Sequence, residues 1–225
     1  MVEPHLVLPS PEGMWRVARR AGPLRPSAIS PSDATLPRAG NRFDVPGIGV
    51  VYLATDLEGC FAETLARFRP TTSTMVRDAA TADAADQHLM EPGTVPAEWR
   101  ERRTAVRVTC PDDVLFIDVE DPATHTHLAR VLADELQRLH INNLDVAAVR
   151  GNDRRLTRLI AQWAYQPEGA VNQGYAGIRY RSRLGDWECW AVFDDVRLEQ
   201  VEQRPIGEND TALVAIATAF GLRVF

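Results

Sequence analysis

Apolar and polar positions alternate with a period of two over residues 14–20, MWRVARR, which predicts a short strand. Residues 48–54, IGVVYLA, form a continuous apolar run, the pattern of a buried strand. Beyond Asp56, placed to N-cap, Leu57, Phe61, Leu65 and Phe68 recur at helical spacing, so LEGCFAETLARF reads as a helix that Pro70 stops. Two strands follow, TAVRVT (104–109) and VLFIDV (114–119), with Pro111-Asp112-Asp113 as their turn. Asp121-Pro122 opens a helix with an apolar stripe of Leu128, Val131, Leu132, Leu136 and Leu139. Asn152 or Asp153 caps another, with Leu156, Leu159, Ile160 and Trp163 on one face. Strands at 177–181 and 188–193 flank a Gly-Asp turn, and VRLEQV (196–201) reads as one more. A helix over TALVAIATAF ends at Gly221 in C-cap position.

Between these elements, residues 1–13 are Pro-rich and are expected to be a flexible tail. Residues 21–46 hold five prolines in a long loop, and long loops in compact domains tend to carry function. Residues 71–98 are rich in Thr, Ala and Asp and read as an irregular excursion. No repeat and no extended βαβ alternation is present, so the fold class is α+β, with one domain over residues 14–225.

Charge and composition narrow the function. A 225-residue chain that is 45% hydrophobic can bury a core without staples. Net charge is −6, from 25 basic and 31 acidic residues, which disfavours a direct nucleic-acid binder. The positive charge is carried on Arg, whose fork binds phosphate and carboxylate bidentately. Cys60, Cys110 and Cys189 form no CxxC pair, arguing against a disulfide framework or thiolate zinc site. With no secretory leader pattern and no apolar run long enough to span a bilayer, a cytoplasmic protein without membrane contact is expected.

Several residues have both a plain and a chemical reading. Glu63 falls opposite the apolar stripe of its helix. It is either a solvated partner of Arg67 at i+4 or the wall of a cleft. Arg42, in a Gly/Pro-punctuated loop, is either solvent-exposed or an anion ligand. Tyr52 is a core tyrosine or a ring that stacks on a flat ligand. In GIRYRSR, Arg179, Arg181 and Arg183 alternate onto one side of a strand, and Ser182 follows Ile178 and Tyr180 onto the other. His125 and His127 lie two apart on a predicted helix and so point to different faces, and His140 is remote, so no metal site is expected.

Taken in order, WRV at 15–17, NRFD at 41–44, YLA at 52–54, FAE at 61–63, RRLTRLIAQWA at 154–164 and GIRYRSR at 177–183 resemble the RES domain family, named for an Arg, a Glu and a Ser. The loop departs from the family's common Gly-Gly-Arg-Trp-Asn, reading Gly-Asn-Arg-Phe-Asp here, and Phe61-Ala62 shift the small residue before Glu63. The resemblance implies an ADP-ribosyltransferase-like fold, a split, twisted β core with flanking helices that clasps NAD. It implies NAD as substrate and cleavage of its nicotinamide N-glycosidic bond, by phosphorolysis with inorganic phosphate, by hydrolysis, or by transfer to a protein. Many such proteins are toxins restrained by a helix-turn-helix (Xre-like) antitoxin. The implied roles are Glu63 facing the developing oxocarbenium ion, Arg16 and Arg42 on the pyrophosphate or attacking phosphate, and Tyr52 at the nicotinamide. Ser182 and Thr157 would bond a ribose or phosphate oxygen, and Arg20 is a further phosphate ligand. No metal is called for. A catalytically inactive RES-like binding protein is the alternative, and assembly into a homodimer is left open.

Overall fold

The computed structural model describes residues 2–70, 93–165 and 174–225. In chain order the first elements are β1 (Leu6–Val7), β2 (Met14–Arg19), α1 (Pro31–Ala34), β3 (Val50–Ala54) and α2 (Leu57–Leu65), the last extended by a 3-10 turn over Ala66–Phe68. Next come β4 (Thr94–Val95), α3 (Ala97–Glu101), β5 (Arg103–Thr109), β6 (Phe116–Asp118), α4 (Pro122–Val131), α5 (Ala133–Arg138), α6 (Val146–Val149) and α7 (Arg154–Tyr165). The chain closes with β7 (Gly177–Arg181), β8 (Glu188–Phe193), β9 (Glu199–Pro205), α8 (Thr211–Phe220) and β10 (Arg223–Val224).

The α+β class read from the sequence holds. Eight strands form one mixed sheet in the order β1-β6-β7-β8-β3-β2-β5-β9. Of its neighbouring pairs β6–β7 is parallel and the others antiparallel. The pairing is uneven. β2 follows β5 along its whole length, Met14 against Val108 to Arg19 against Arg103, and β3 follows β8 from Val50 to Ala54. Yet β2 meets β3 at a single register pair, Trp15 with Ala54. At that joint the Cys60 thiol of α2 donates to the Trp15 carbonyl at 3.0 Å. At the other end of β3, Val50 exchanges backbone hydrogen bonds with Ser27 at 2.8 and 2.9 Å. The core is therefore split, two half-sheets held together at one pair, and the strands are apart between those points.

Burial follows the sequence pattern. On β3, Val50 and Ala54 join the main core while Val51 and Leu53 join a smaller cluster with Met14, Phe116 and Trp190, so both faces of the apolar run are covered. The stripe of α2 buries Leu57, Phe61 and Leu65, with α8 packed beside it. Each such side chain contributes roughly 1.5–3 kcal/mol on full burial. Among the described residues, no helix is long and apolar enough to cross a membrane.

Four element expectations change. The tail supplies β1, which pairs with β6, and the His5 amide donates to Thr124 Oγ1 at 2.9 Å, so unpaired edge groups of β6 organise it. The helix expected from 121 to 139 breaks at Leu132 (φ −110, ψ 22), which separates α4 from α5. The strand expected at 196–201 begins at Glu199, because Asp194 exchanges hydrogen bonds with Gly49 and turns the chain after β8. Within the excursion, Thr94–Val95 pair with β10 and Ala97 starts α3, while residues 71–92 lie outside the described residues.

Candidate active site

Where β2 and β3 part, a cavity of about 1020 Å³ opens. Arg16–Arg19 of β2 and Tyr52–Ala54 of β3 line it, with Gly59, Cys60, Glu63 and Thr64 of α2 and the loops around Arg42, Asn152 and Arg183. Nine arginines border it, and Glu63 is the one carboxylate among the described lining residues. A chain of net charge −6 thus concentrates positive charge at its split. A smaller cavity of about 460 Å³ lies at the starts of α2 and α8, but its Arg204 is neutralised by Asp210 at 2.5 Å.

Glu63 stands on the exposed side of α2, as its spacing predicts, and makes no ion pair with Arg67. Its Oε1 instead accepts from the Ser182 hydroxyl at 2.6 Å. Ser182 is 1% exposed and has in turn accepted the Leu184 amide at 3.0 Å, so its single proton is aimed at the carboxylate. Alternation had put Ser182 on the inward side of its strand. The hydroxyl thus orients Glu63. Arg183 departs from the same alternation: β7 ends at Arg181, and Arg183 turns into the cavity rim, donating to Asn152 Oδ1.

The Arg42 loop is built on a buried carboxylate. Asp44 is 0% exposed and accepts from the Asn41 amide at 2.6 Å, the Tyr52 hydroxyl at 2.9 Å and the Ser27 hydroxyl at 3.2 Å. Gly40 takes φ 61 beneath it, where a Cβ would stand 2.6 Å from Ile29 Cδ1 and 2.8 Å from Asp44 Oδ2. The Tyr52 hydroxyl also accepts the Phe43 amide at 3.0 Å. Burial, and then Asp44, hold that phenol well above its ordinary pKa. Tyr52 therefore borders the cavity with its ring while its hydroxyl fixes the loop.

Arg42 Nη2 donates to the Val149 carbonyl, but its buried Nε has no partner among the described residues. Arg16 Nη1 is likewise buried and unpartnered. Burial lowers the pKa of both guanidiniums. An unmade hydrogen bond on a buried charged donor is costly, and both guanidiniums belong to side chains that line the one cavity, which marks it as a place for an anion. Thr157 does not reach that place. Its hydroxyl donates to the Arg42 and Arg154 carbonyls and supports the loop from behind. Arg20 is exposed, bonds the Arg103 carbonyl at 3.3 Å and does not line the cavity. Sequence reasoning brought Arg16, Arg42, Tyr52 and Glu63 to one cavity. It missed Asp44, which was legible only as part of a loop motif, and Arg154, which was read only as the start of a helix.

Against known proteins, the family model described as RES domain matches residues 14–212. Among solved structures, a chain of the M. tuberculosis MbcT–MbcA toxin–antitoxin complex is similar, with a TM-score of 0.50 at 12% identity. The likeness covers 95% of this chain and 91% of that one. No curated protein matches.

Proposed function

The chain belongs to the RES domain family, and from that premise we propose that it is an NAD-consuming enzyme that breaks the nicotinamide N-glycosidic bond and acts as the toxin of a toxin–antitoxin pair. The observation that carries this reading is the single lining carboxylate, Glu63, oriented by Ser182 in a cavity bordered by arginines with unpartnered donors.

The chemistry suits that arrangement. Nicotinamide departs neutral and takes the bonding electron pair, so the leaving group calls for no general acid and no metal. Positive charge develops on the ribose as an oxocarbenium ion, and a carboxylate beside it lowers the barrier. Glu63 takes that role. Arg16 and Arg42 hold the diphosphate by charge-assisted hydrogen bonds. Tyr52 shapes the wall where the flat nicotinamide lies. Water adding at the freed carbon yields ADP-ribose and a proton, and inorganic phosphate adding there yields its 1-phosphate.

The toxin role is supported by family membership and by the solved structure of like fold, which is part of a toxin–antitoxin complex. The partner we propose is a helix-turn-helix (Xre-like) antitoxin in the same cytoplasm, presenting carboxylates to the cationic cleft. The test is purified protein with NAD, with and without phosphate, and chromatography of the products. Nicotinamide release that Glu63→Gln abolishes supports the reading, and the co-product distinguishes phosphorolysis from hydrolysis. ADP-ribose on a protein would make the chain a transferase, and intact NAD would leave a binding protein. Expression of the wild-type chain alone should stop growth, and Glu63→Gln should not.

A further inference from the structure

One face of α7 is spent on a loop. The Arg154 amide donates to the Pro37 carbonyl at 2.8 Å, and its guanidinium to the carbonyls of Arg38 at 2.9 Å and Gly40. Thr157 takes the Arg42 carbonyl. Arg158 spans two more, Ala39 at 2.7 Å through Nη1 and Leu36 through Nη2. Residues 154, 157 and 158 share one helical stripe over the first turns of α7, and Ala161 and Ala164 continue that side of the helix into the core. Backbone acceptors of residues 36–42 that a strand or helix would satisfy internally are thus satisfied by α7.

Arg158 is the unusual member. It is 4% exposed, the nearby Asp153 is taken by Arg155, its Nε has no partner among the described residues, and it does not line the cavity. It therefore cannot be a substrate ligand. A buried guanidinium spent on two neutral carbonyls three residues apart is a brace, for which the planar fork is suited and an ammonium is not. We propose that Arg158 is a positioning residue that acts through Arg42, holding residues 36–42 in the one conformation that presents the Arg42 guanidinium to the anion. The proposal rests on the NAD-cleaving reading for its kinetic readout.

The experiment is a double-mutant cycle of Arg158→Met with Arg42→Ala, read as KM and kcat for NAD. Arg158→Met is expected to raise KM about tenfold with kcat within about threefold, the signature of lost binding common to ground and transition states. In the Arg42→Ala background it should raise KM no further. An unchanged KM, or effects that multiply in the double variant, would overturn the proposal. Should Arg158→Met fail to fold by circular dichroism, Arg158→Lys carries the same cycle, with a smaller KM rise expected in the parent and none beside Arg42→Ala. Hydrogen exchange over residues 36–44 is measured in parallel and needs no substrate. Faster exchange confined to that segment supports the brace, and unchanged exchange sinks it. A wild-type chain that leaves NAD intact would remove the NAD reading alone, and exchange would then decide the proposal.

Discussion

Two sets of arginines in this molecule are wired in opposite ways. On the β6–β7–β8 side, Arg179 donates to Glu188 at 2.7 and 2.8 Å and to Asp118 at 3.1 and 3.2 Å. Arg150 reaches Glu120 at 2.6 Å and Asp186 at 3.0 Å. The pKa of Arg150 is raised, first by its Glu120 bond; that of Arg179 is raised although burial opposes it, because Glu188 and Asp118 outweigh burial. At the split between β2 and β3, Arg16, Arg42 and Arg154 are lowered, with burial the leading cause in each. Their described acceptors are backbone carbonyls or nothing at all. The lesson is that burial of arginine says little until its acceptors are named. Carboxylate partners close the charge into structure, and carbonyl partners leave it available to a ligand only where the side chain also lines the cavity, as Arg42 and Arg154 do and Arg158 does not.

The comparison can be broken in order of effect. Arg179→Met should cost about 3–5 kcal/mol of stability, since it strands Asp118 and Glu188 without their cation, and turnover per folded molecule should persist. Denaturant melts check this, with Arg42→Met expected to stay within about 1 kcal/mol of the parent. Equal losses at both positions would erase the distinction.

Glu63→Gln should lose ~2.7–4 kcal/mol of transition-state stabilisation, the scale of one preorganised electrostatic group, with an unchanged melting midpoint. Steady-state kinetics within a few-fold of the parent would reduce Glu63 to a surface residue. Arg42→Lys should raise KM for NAD about 10–100-fold, nearly as far as Arg42→Ala, because charge without the fork does not clamp a diphosphate. Retained affinity in the lysine variant would mean that Arg42 acts only by long-range charge.

Ser182→Ala should lower kcat by the equivalent of about 1.5 kcal/mol, the lower end of the worth of a hydrogen bond to a charged group, with KM little changed. An effect on KM alone would place Ser182 on substrate instead of on Glu63. The smallest effect is one of pH. Burial raises the Glu188 carboxyl, but bonds from Thr55 and Arg179 outweigh it and hold its pKa below the ordinary value. Its contribution is complete above the unfolded glutamate value of about 4.3 and is lost as pH falls through the lower folded value. Acid titration of stability should show this loss in the parent and a weaker one in Arg179→Met.

How much of this could be read from the chain depends on the range of the interaction. The α2 stripe put Glu63 on the outward face because helical phase is local, and the alternation of β7 still held for Ser182, the first residue past the strand's end. The ordered motifs brought Arg16, Arg42 and Tyr52 together. The split itself was not legible from periodicity, since β2 and β3 are both ordinary strands and their single register pair is set by packing. Nor was the bracing of residues 36–42, because the carbonyls that take up Arg154 and Arg158 belong to a loop more than a hundred residues away. Arg183 was misplaced because alternation was carried past the strand's end at Arg181.

The thiol of Cys60 touches the one register pair that joins the half-sheets and also borders the cavity. Burial pushes it up to about 12, so near neutrality it is protonated and inert to alkylating reagents while the joint is closed. Its modification rate is therefore a clock. Counted against reagent concentration, it separates the rate at which the joint opens from the fraction of time it stands open. A molecule that grips β2 and β3 at once should stop that clock, and one that grips a single half-sheet should leave it running.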